Sequence, residues 1–388
     1  MLLPAIWRVS LDMLRWTLLS IATLFFSLGL LTVFRSPDWS IWQLALLAGE
    51  FGHWLALGAL MTVVAGFFVR GSPGVLSVLT TVFGLGGVLL LLKPALSAPA
   101  VADFARRDLD HIGAPQLDRA AFSWSGFWRA APGPVPIETM SFAPELSLDY
   151  YRAVGRSHAP CVIVVHGGGW DSGSRDQLTG LNHWLARHGY SVAAISYRLA
   201  PKFPWPAPRE DTGAAIAFLK ANAERLGLDP ERLVLLGRSA GGQIAEVVAY
   251  SAHDPSICGV VGLYAPSDIN FAYKYARDND VLKSPGLIRR FIGGAPMIRQ
   301  TGYDDASALQ HVTPAAPPTL LIHGENDTLV WHRHSVRLEA VLERAGVPCV
   351  FVSLPWATHA FEYNLAGPGG QLATYALERF LGKVTAVK

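Results

Sequence analysis

Residues 16–34 (WTLLSIATLFFSLGLLTVF) and 74–92 (GVLSVLTTVFGLGGVLLLL) each run nineteen positions without a charged side chain. A bilayer core about 30 Å thick is crossed by about 20 apolar helical residues. Between the two runs lies a third apolar stretch, 54–69 (WLALGALMTVVAGFFV), led in by the less pure 41–53 (IWQLALLAGEFGH). Three membrane spans are expected, roughly 14–34, 45–69 and 73–93. They make residues 1–97 an all-α, three-helix transmembrane region. Arg35–Asp38 and Arg70–Pro73 carry the turn residues that join them. The competing reading of the first run is a cleaved leader, but the run is too long and no small-x-small site follows Phe34. Glu50 and His53 fall on one helical face; at 1.5 Å per residue, 41–69 is about 43 Å long. The pair is therefore expected near the membrane interface or bridging helices. Gly84, Gly86 and Gly87 suit close helix packing.

Three spans put the termini on opposite sides. Arg8 and Arg15 precede the first span and Arg35 follows it, which places the amino end in the cytoplasm and the carboxyl part outside. Lys93, Arg106 and Arg107 pull the other way. The expected location is an inner bacterial membrane, crossed more than once.

The rest of the composition narrows the classes. The chain has 388 residues, 51% hydrophobic and 16% charged, with 32 basic against 30 acidic side chains. That excludes a disordered tail protein, and with no basic stripe it argues against a nucleic-acid partner. Three scattered cysteines (Cys161, Cys258, Cys349) are too few for a disulfide framework or a zinc cluster. Residues 98–140 read as an irregular, proline-interrupted connector with Trp124, Phe127 and Trp128 in its middle, lying at the membrane surface or packed on the next domain.

A different grammar begins near 141 and runs to 388. Short hydrophobic runs, the expected strands 146–152, 161–166, 191–197, 232–236, 258–264, 319–323 and 348–354, alternate with helical patterns at 174–188, 209–226, 239–252, 331–345 and 368–382. Runs such as CVIVVH and TLLIHG are continuously apolar, as strands covered on both faces must be. The alternation predicts an α/β domain with a mostly parallel, doubly wound sheet.

The chemistry is written at strand ends. Gly237-Arg238-Ser239-Ala240-Gly241-Gly242 follows the strand RLVLL and opens a helix, a G-x-S-x-G motif in its required strand-turn-helix setting. Ser239 is the candidate nucleophile. His166-Gly167-Gly168-Gly169-Trp170 follows the strand CVIVV, and its glycines free backbone N–H groups to hold an oxyanion. The loop lacks the spacing of a phosphate-binding loop. A serine needs a base held by an acid. Asp327 follows the strand TLLI, with Glu325 as its rival. His359 follows CVFVSL, with His323, His332 and His334 as rivals; the last two look like the start of a surface helix. The chain order Ser239, Asp327, His359 fits a strand-end hydrolase triad. Trp170 is expected to wall the pocket. The segment between Tyr264 and Thr319, with Phe271, Tyr273, Tyr275, Leu282, Leu287, Ile288, Phe291 and Ile292, is expected either to pack as ordinary helices or to form a lid or acyl pocket. Arg289 and Arg290 are expected on the surface.

Together HGGGW, Tyr197-Arg198-Leu199-Ala200-Pro201, GRSAGG, HGENDTLV and THAF resemble the hormone-sensitive-lipase-like esterases of the α/β-hydrolase superfamily over roughly 140–388. The resemblance implies the α/β-hydrolase fold, Ser239 as nucleophile, Asp327 as acid and His359 as base. It also implies an oxyanion hole from the N–H groups of Gly168, Gly169 and Ala240, and bracing roles for Tyr197, Arg198 and Asp211. Two features depart from the family. Arg238 stands where an Asp commonly precedes the serine, and the membrane region replaces the amino-terminal cap, leaving only 98–140 for that role. The implied function is a membrane-anchored serine hydrolase that cleaves carboxylic esters, from small-molecule or lipid substrates, with no metal and no cofactor. The alternatives are acyl transfer or amide cleavage by the same residues, and a non-enzymatic receptor or interaction module.

Overall fold

The computed structural model describes residues 3–69, 74–130 and 133–387, with backbone alone for 3–10. The expected turn at Arg70–Pro73, Pro132 and the Arg8 side chain lie outside the described residues. The chain opens with four helices: α1 (Leu3–Leu30), α2 (Trp39–Glu50), α3 (Gly52–Phe68) and α4 (Val75–His111). Leu11–Leu30 and α4 are each long and apolar enough to cross a membrane. The pair α2 and α3 passes the same test only as a unit bent by 85°. The expected span 45–69 is thus two helices. The break falls at Phe51, whose φ of −120° and ψ of 14° leave the helical region.

Close packing holds the bundle. A Cβ on Gly84 would stand 2.3 Å from Val63 Cγ2, and one on Gly52 would stand 2.3 Å from the Leu91 carbonyl oxygen. Only glycine lets backbones approach so closely.

Residues 98–111, expected to be irregular, are instead the last turns of α4, which continues through Pro94 and Pro99. A proline removes the N–H that the carbonyl four residues earlier would use. For Pro94 that carbonyl is Leu90, and the Thr32 hydroxyl donates to it at 3.0 Å. A hydroxyl that takes up the freed carbonyl in this way lets a helix run on through a proline.

A short 3₁₀ turn, Trp124–Trp128, leads to β1 (Ile137–Ala143), β2 (Leu146–Tyr151), β3 (Ala159–Val165), α5 (Thr179–Arg187), β4 (Ser191–Ile195), α6 (Ala207–Ala221) and α7 (Ala223–Leu226). Then follow β5 (Leu228–Arg238), α8 (Ala240–Ser251), β6 (Ile257–Leu263), α9 (Ile269–Tyr275), α10 (Ser284–Ile292) and α11 (Pro296–Asp305). The chain closes with β7 (Thr319–Gly324), α12 (Arg333–Arg344), β8 (Cys349–Leu354) and α13 (Pro368–Val384).

The eight strands form one sheet in the order β1-β2-β4-β3-β5-β6-β7-β8. β1 and β2 pair antiparallel, as do β2 and β4; the other pairs are parallel. Alternate residues of β3 face two cores. Cys161, Ile163 and Val165 join α6 and α8. Val162 and Val164 join α5, α13 and the outer half of α4, through Ala98, Val101, Ala102, Ala105 and Leu109. The last helix of the bundle is therefore also a layer of the sheet domain. Strand order reverses between β3 and β5, and ligands of open α/β sheets bind beyond the strand ends at such a switch point.

Candidate active site

β3 and β5 run in register, Val165 beside Gly237, so the loops that leave them meet. Ser239 stands between β5 and α8 at φ 52° and ψ −123°. A serine in this region is strained by about 1–3 kcal/mol and stays there only where its surroundings over-determine it. They do so here. A Cβ on Gly237 would lie 2.1 Å from the Gly241 oxygen, and one on Gly241 would lie 2.2 Å from the Val165 oxygen. The turn is too tight for any other residue at either place.

The glycine-rich loop closes on this turn. A Cβ on Gly167 would be 3.3 Å from the Ser239 Cβ. Gly168 (φ 120°), Gly169 (φ 60°) and Trp170 (φ 65°) all have left-handed backbone. Ser172 pins the loop, its N–H and hydroxyl both donating to the Gly168 carbonyl, while Gly167 N–H donates to Gln177 Oε1 at 2.9 Å. The N–H groups of Gly168, Gly169 and Ala240 have no hydrogen-bond partner among the described residues. Donors fixed in place and unengaged are what a developing oxyanion needs.

His359 Nδ1 hydrogen-bonds Asp327 Oδ2 at 2.7 Å. The N–H groups of Leu329 and Val330 donate to Asp327 Oδ1 at 2.9 and 3.0 Å, and His323 Nε2 lies 3.4 Å from Oδ2. Complete burial works to raise the Asp327 pKa, but the nearby His359 and hydrogen bonds from His323 and His359 outweigh it and hold the carboxyl well below the usual range. His359 and Ser239 line one cavity of about 550 Å³, with Gly168, Gly169, Ala240 and Trp170. Among the described residues no hydrogen bond joins Ser239 to His359 directly. Such contacts often tighten only when substrate binds.

Of the rivals, His334 lines the cavity, whereas Glu325, His323 and His332 do not. Glu325 Oε1 accepts from Ser353, and His332 Nε2 also meets the Ser353 hydroxyl. His323 backs Asp327 from the far side. His334 is not on a surface helix face: it is buried, lines the cavity, and burial pushes its pKa down to about 3. Trp170 stacks on Phe291 at 4.2 Å and donates to Gln243 Oε1. Phe271, Tyr275, Leu282, Leu287 and Ile288 line the cavity; Arg290 reaches Asp171 across its rim at 2.8 Å. Arg198 grips Asp211 at 2.8 Å and Tyr197 donates to the His166 carbonyl, which braces the glycine loop.

Three features of the site escape sequence reasoning. Arg238 is buried and donates to Glu362 Oε1 at 3.0 Å; Tyr264 donates to the same oxygen. This pair joins the nucleophile turn to the segment just after His359. Glu50 Oε2, at the end of α2, accepts from Gly369 N at the start of α13 at 3.0 Å. Trp39 and Trp42, from the first turn of α2, are part of the cavity wall. No local pattern marks any of these, because each depends on segments a hundred or more positions apart.

The probable carboxylic ester hydrolase LipM of Mycobacterium tuberculosis (strain ATCC 25618 / H37Rv) is 30% identical over 240 residues, covering 59% of this chain and 56% of LipM. Esterase LipC of the same strain is 32% identical over 261 residues, covering 62% of this chain and 63% of LipC. The chain thus spans less than two thirds of either relative. Among solved structures, a Pyrobaculum calidifontis esterase superposes with a TM-score of 0.57 at 22% identity, over 76% of this chain and 95% of that one. An esterase/lipase from an uncultured bacterium superposes with a TM-score of 0.56 at 21% identity, over 74% and 99%. These likenesses show a shared fold. A family model described as BD-FAE matches residues 148–342, half of the chain, from within β2 through most of α12. The chain belongs to the BD-FAE family.

Proposed function

We propose that the protein is a serine hydrolase of carboxylic esters, held in a membrane by its amino-terminal helices. The observation that carries this reading is the Asp327–His359 pair at 2.7 Å opening on the same cavity as Ser239 and three unengaged N–H groups. The names of LipM and LipC, both ester hydrolases, support it.

Ser239 Oγ attacks the acyl carbon while His359 takes its proton. Asp327 orients the imidazole and stabilises its charged form. The carbonyl oxygen becomes an oxyanion held by the N–H groups of Gly168, Gly169 and Ala240. The bond from carbon to the leaving oxygen breaks, His359 returns the proton to that oxygen, and an alcohol departs. Water then adds to the acyl-serine with His359 again as base, which frees the carboxylic acid and restores Ser239.

In the same reading α1, α3 and the first half of α4 cross the bilayer. α3 has 17 residues, within the range of about 17–25 that spans a core. α2, at 85° to α3, lies along the surface, and the sheet domain beyond about residue 141 stands over it.

A fluorophosphonate probe is expected to label the purified protein in detergent at Ser239, and Ser239→Ala to lose both labelling and about a million-fold in turnover. Labelling that persists in Ser239→Ala, or ester cleavage at the parent rate, overturns the assignment.

A further inference from the structure

The cavity is not made by the sheet domain alone. Trp39 and Trp42 line it with Ser239 and His359, and their rings lie 4.6 Å apart. They begin a helix whose exposed side chains include Trp39, Leu44 and Leu47. Tryptophan collects at the membrane interface, where its ring spans apolar and wet layers. A second tryptophan pair, Trp54 on α3 against Trp128, stands at the other end of α2, just past the break at Phe51. The strand ends that carry the triad meet the exit of the first span. Arg35 donates to the Glu325 carbonyl at 3.0 Å, and Asn326 Nδ2 to the Thr32 carbonyl at 3.1 Å. Both contacts are within two residues of Asp327. α9 and α10, with the loop between them, also line the cavity, through Phe271, Tyr275, Leu282, Leu287 and Ile288, with the polar Arg277, Asp280 and Ser284 among them.

We infer that the substrate is a fatty-acyl ester dissolved in the bilayer, which reaches Ser239 by passing between Trp39 and Trp42 on one side and the α9–α10 wall on the other. The inference rests on the ester-hydrolase reading and names its substrate class. The physical argument is one of transfer. Moving an acyl chain from lipid through water costs about 0.8 kcal/mol for each methylene exposed. Moving it from lipid into an apolar cavity that adjoins the membrane surface avoids that cost.

The test uses the full chain reconstituted in phosphatidylcholine vesicles, with para-nitrophenyl palmitate in the bilayer and para-nitrophenyl acetate in the water. The parent is expected to favour the palmitate in kcat/KM. Trp39→Ala/Trp42→Ala is expected to lower the ratio of palmitate to acetate kcat/KM by about tenfold, the equivalent of about two buried methylenes. Fluorophosphonate labelling checks that the variant's site is folded. Should the double variant fail that check, Trp39→Glu, which puts a charge at a half-exposed position and leaves Trp42 in place, is expected to lower the ratio as well. A parent that prefers acetate, or variants that keep the parent ratio, overturns the bilayer route while leaving the hydrolase reading intact. Loss of labelling and of both activities in the parent strikes the hydrolase reading instead.

Discussion

Glu246 sits on α8, two turns past Ser239 and wholly enclosed. Burial, with neither carboxyl oxygen hydrogen-bonded among the described residues, pushes its pKa up from 4.5 to about 8. The folded chain therefore keeps a proton that the unfolded chain releases above about 4.5. The contribution of this group to stability is full below that pH and is lost as pH climbs through about 8. Glu246→Gln is expected to flatten that fall, by up to roughly 1.4 kcal/mol per pH unit between about 5 and 8, as read from apparent melting temperature in detergent across that range. Other residues teach what a linear reading reaches. Ser239, Asp327 and His359 are legible because each follows a recognisable apolar strand at a short fixed offset. Arg238 is legible only as a departure: its partner Glu362 is 124 positions away, and nothing local announces an ion pair sealed from solvent. His334 deceives because its neighbours Arg333 and Arg337 are polar, whereas its own side is covered by Phe271.

Elements differ in legibility for physical reasons. The parallel strands from β3 to β7 stand out because both sheet faces are covered and demand apolar runs, whereas β8, at the other edge, alternates buried and half-buried residues. β1 is hard to see because it lies at the sheet edge, mostly exposed, and IETMSFA carries no such run. The outer half of α4 is hidden because two prolines usually end a helix; the Thr32 hydroxyl that answers Leu90 comes from beyond the end of a different helix. The α2–α3 break falls in Gly49-Glu50-Phe51-Gly52-His53, whose polar residues and glycines fit one long helix reaching the interface as well as they fit two. The nucleophile turn gives the prediction at this scale. Gly241→Ala places a methyl 2.2 Å from the Val165 oxygen and 2.3 Å from the His166 oxygen. Neither is a flexible tip, so α8 must shift away from the end of β3. The variant is expected to lose fluorophosphonate labelling while its circular dichroism still shows helix. Gly213→Ala, where no atom lies within 4 Å, serves as the control and is expected to label like the parent.

At the scale of the whole molecule, the amino-terminal helices and the sheet domain share structure rather than a tether. Glu50 reaches Gly369 N, and the Glu50 carbonyl accepts from Asn364 Nδ2 at 3.0 Å. A carboxyl group at a helix amino terminus satisfies an N–H that has no partner within its own helix, and removing such a cap costs about 0.5–2 kcal/mol. Glu50→Ala is expected to lower the apparent melting temperature in detergent and to expose the 364–370 segment to limited proteolysis. Glu50→Gln, which keeps an acceptor oxygen, is expected to do so less. Equal behaviour of the two variants would show that the contact does not hold the parts together. The sequence marks Glu50 and His53 as candidates to bridge helices but not their partners. In the fold they part: Glu50 turns to α13 and His53 stacks on Phe127 at 3.8 Å.

α4 carries this union furthest. Its 37 residues make a strut of about 56 Å, with one end in the helical bundle and the other beneath the sheet. In a bilayer crossed as proposed, a tilt of α4 is felt at both of its ends, within the helical bundle and beneath the sheet.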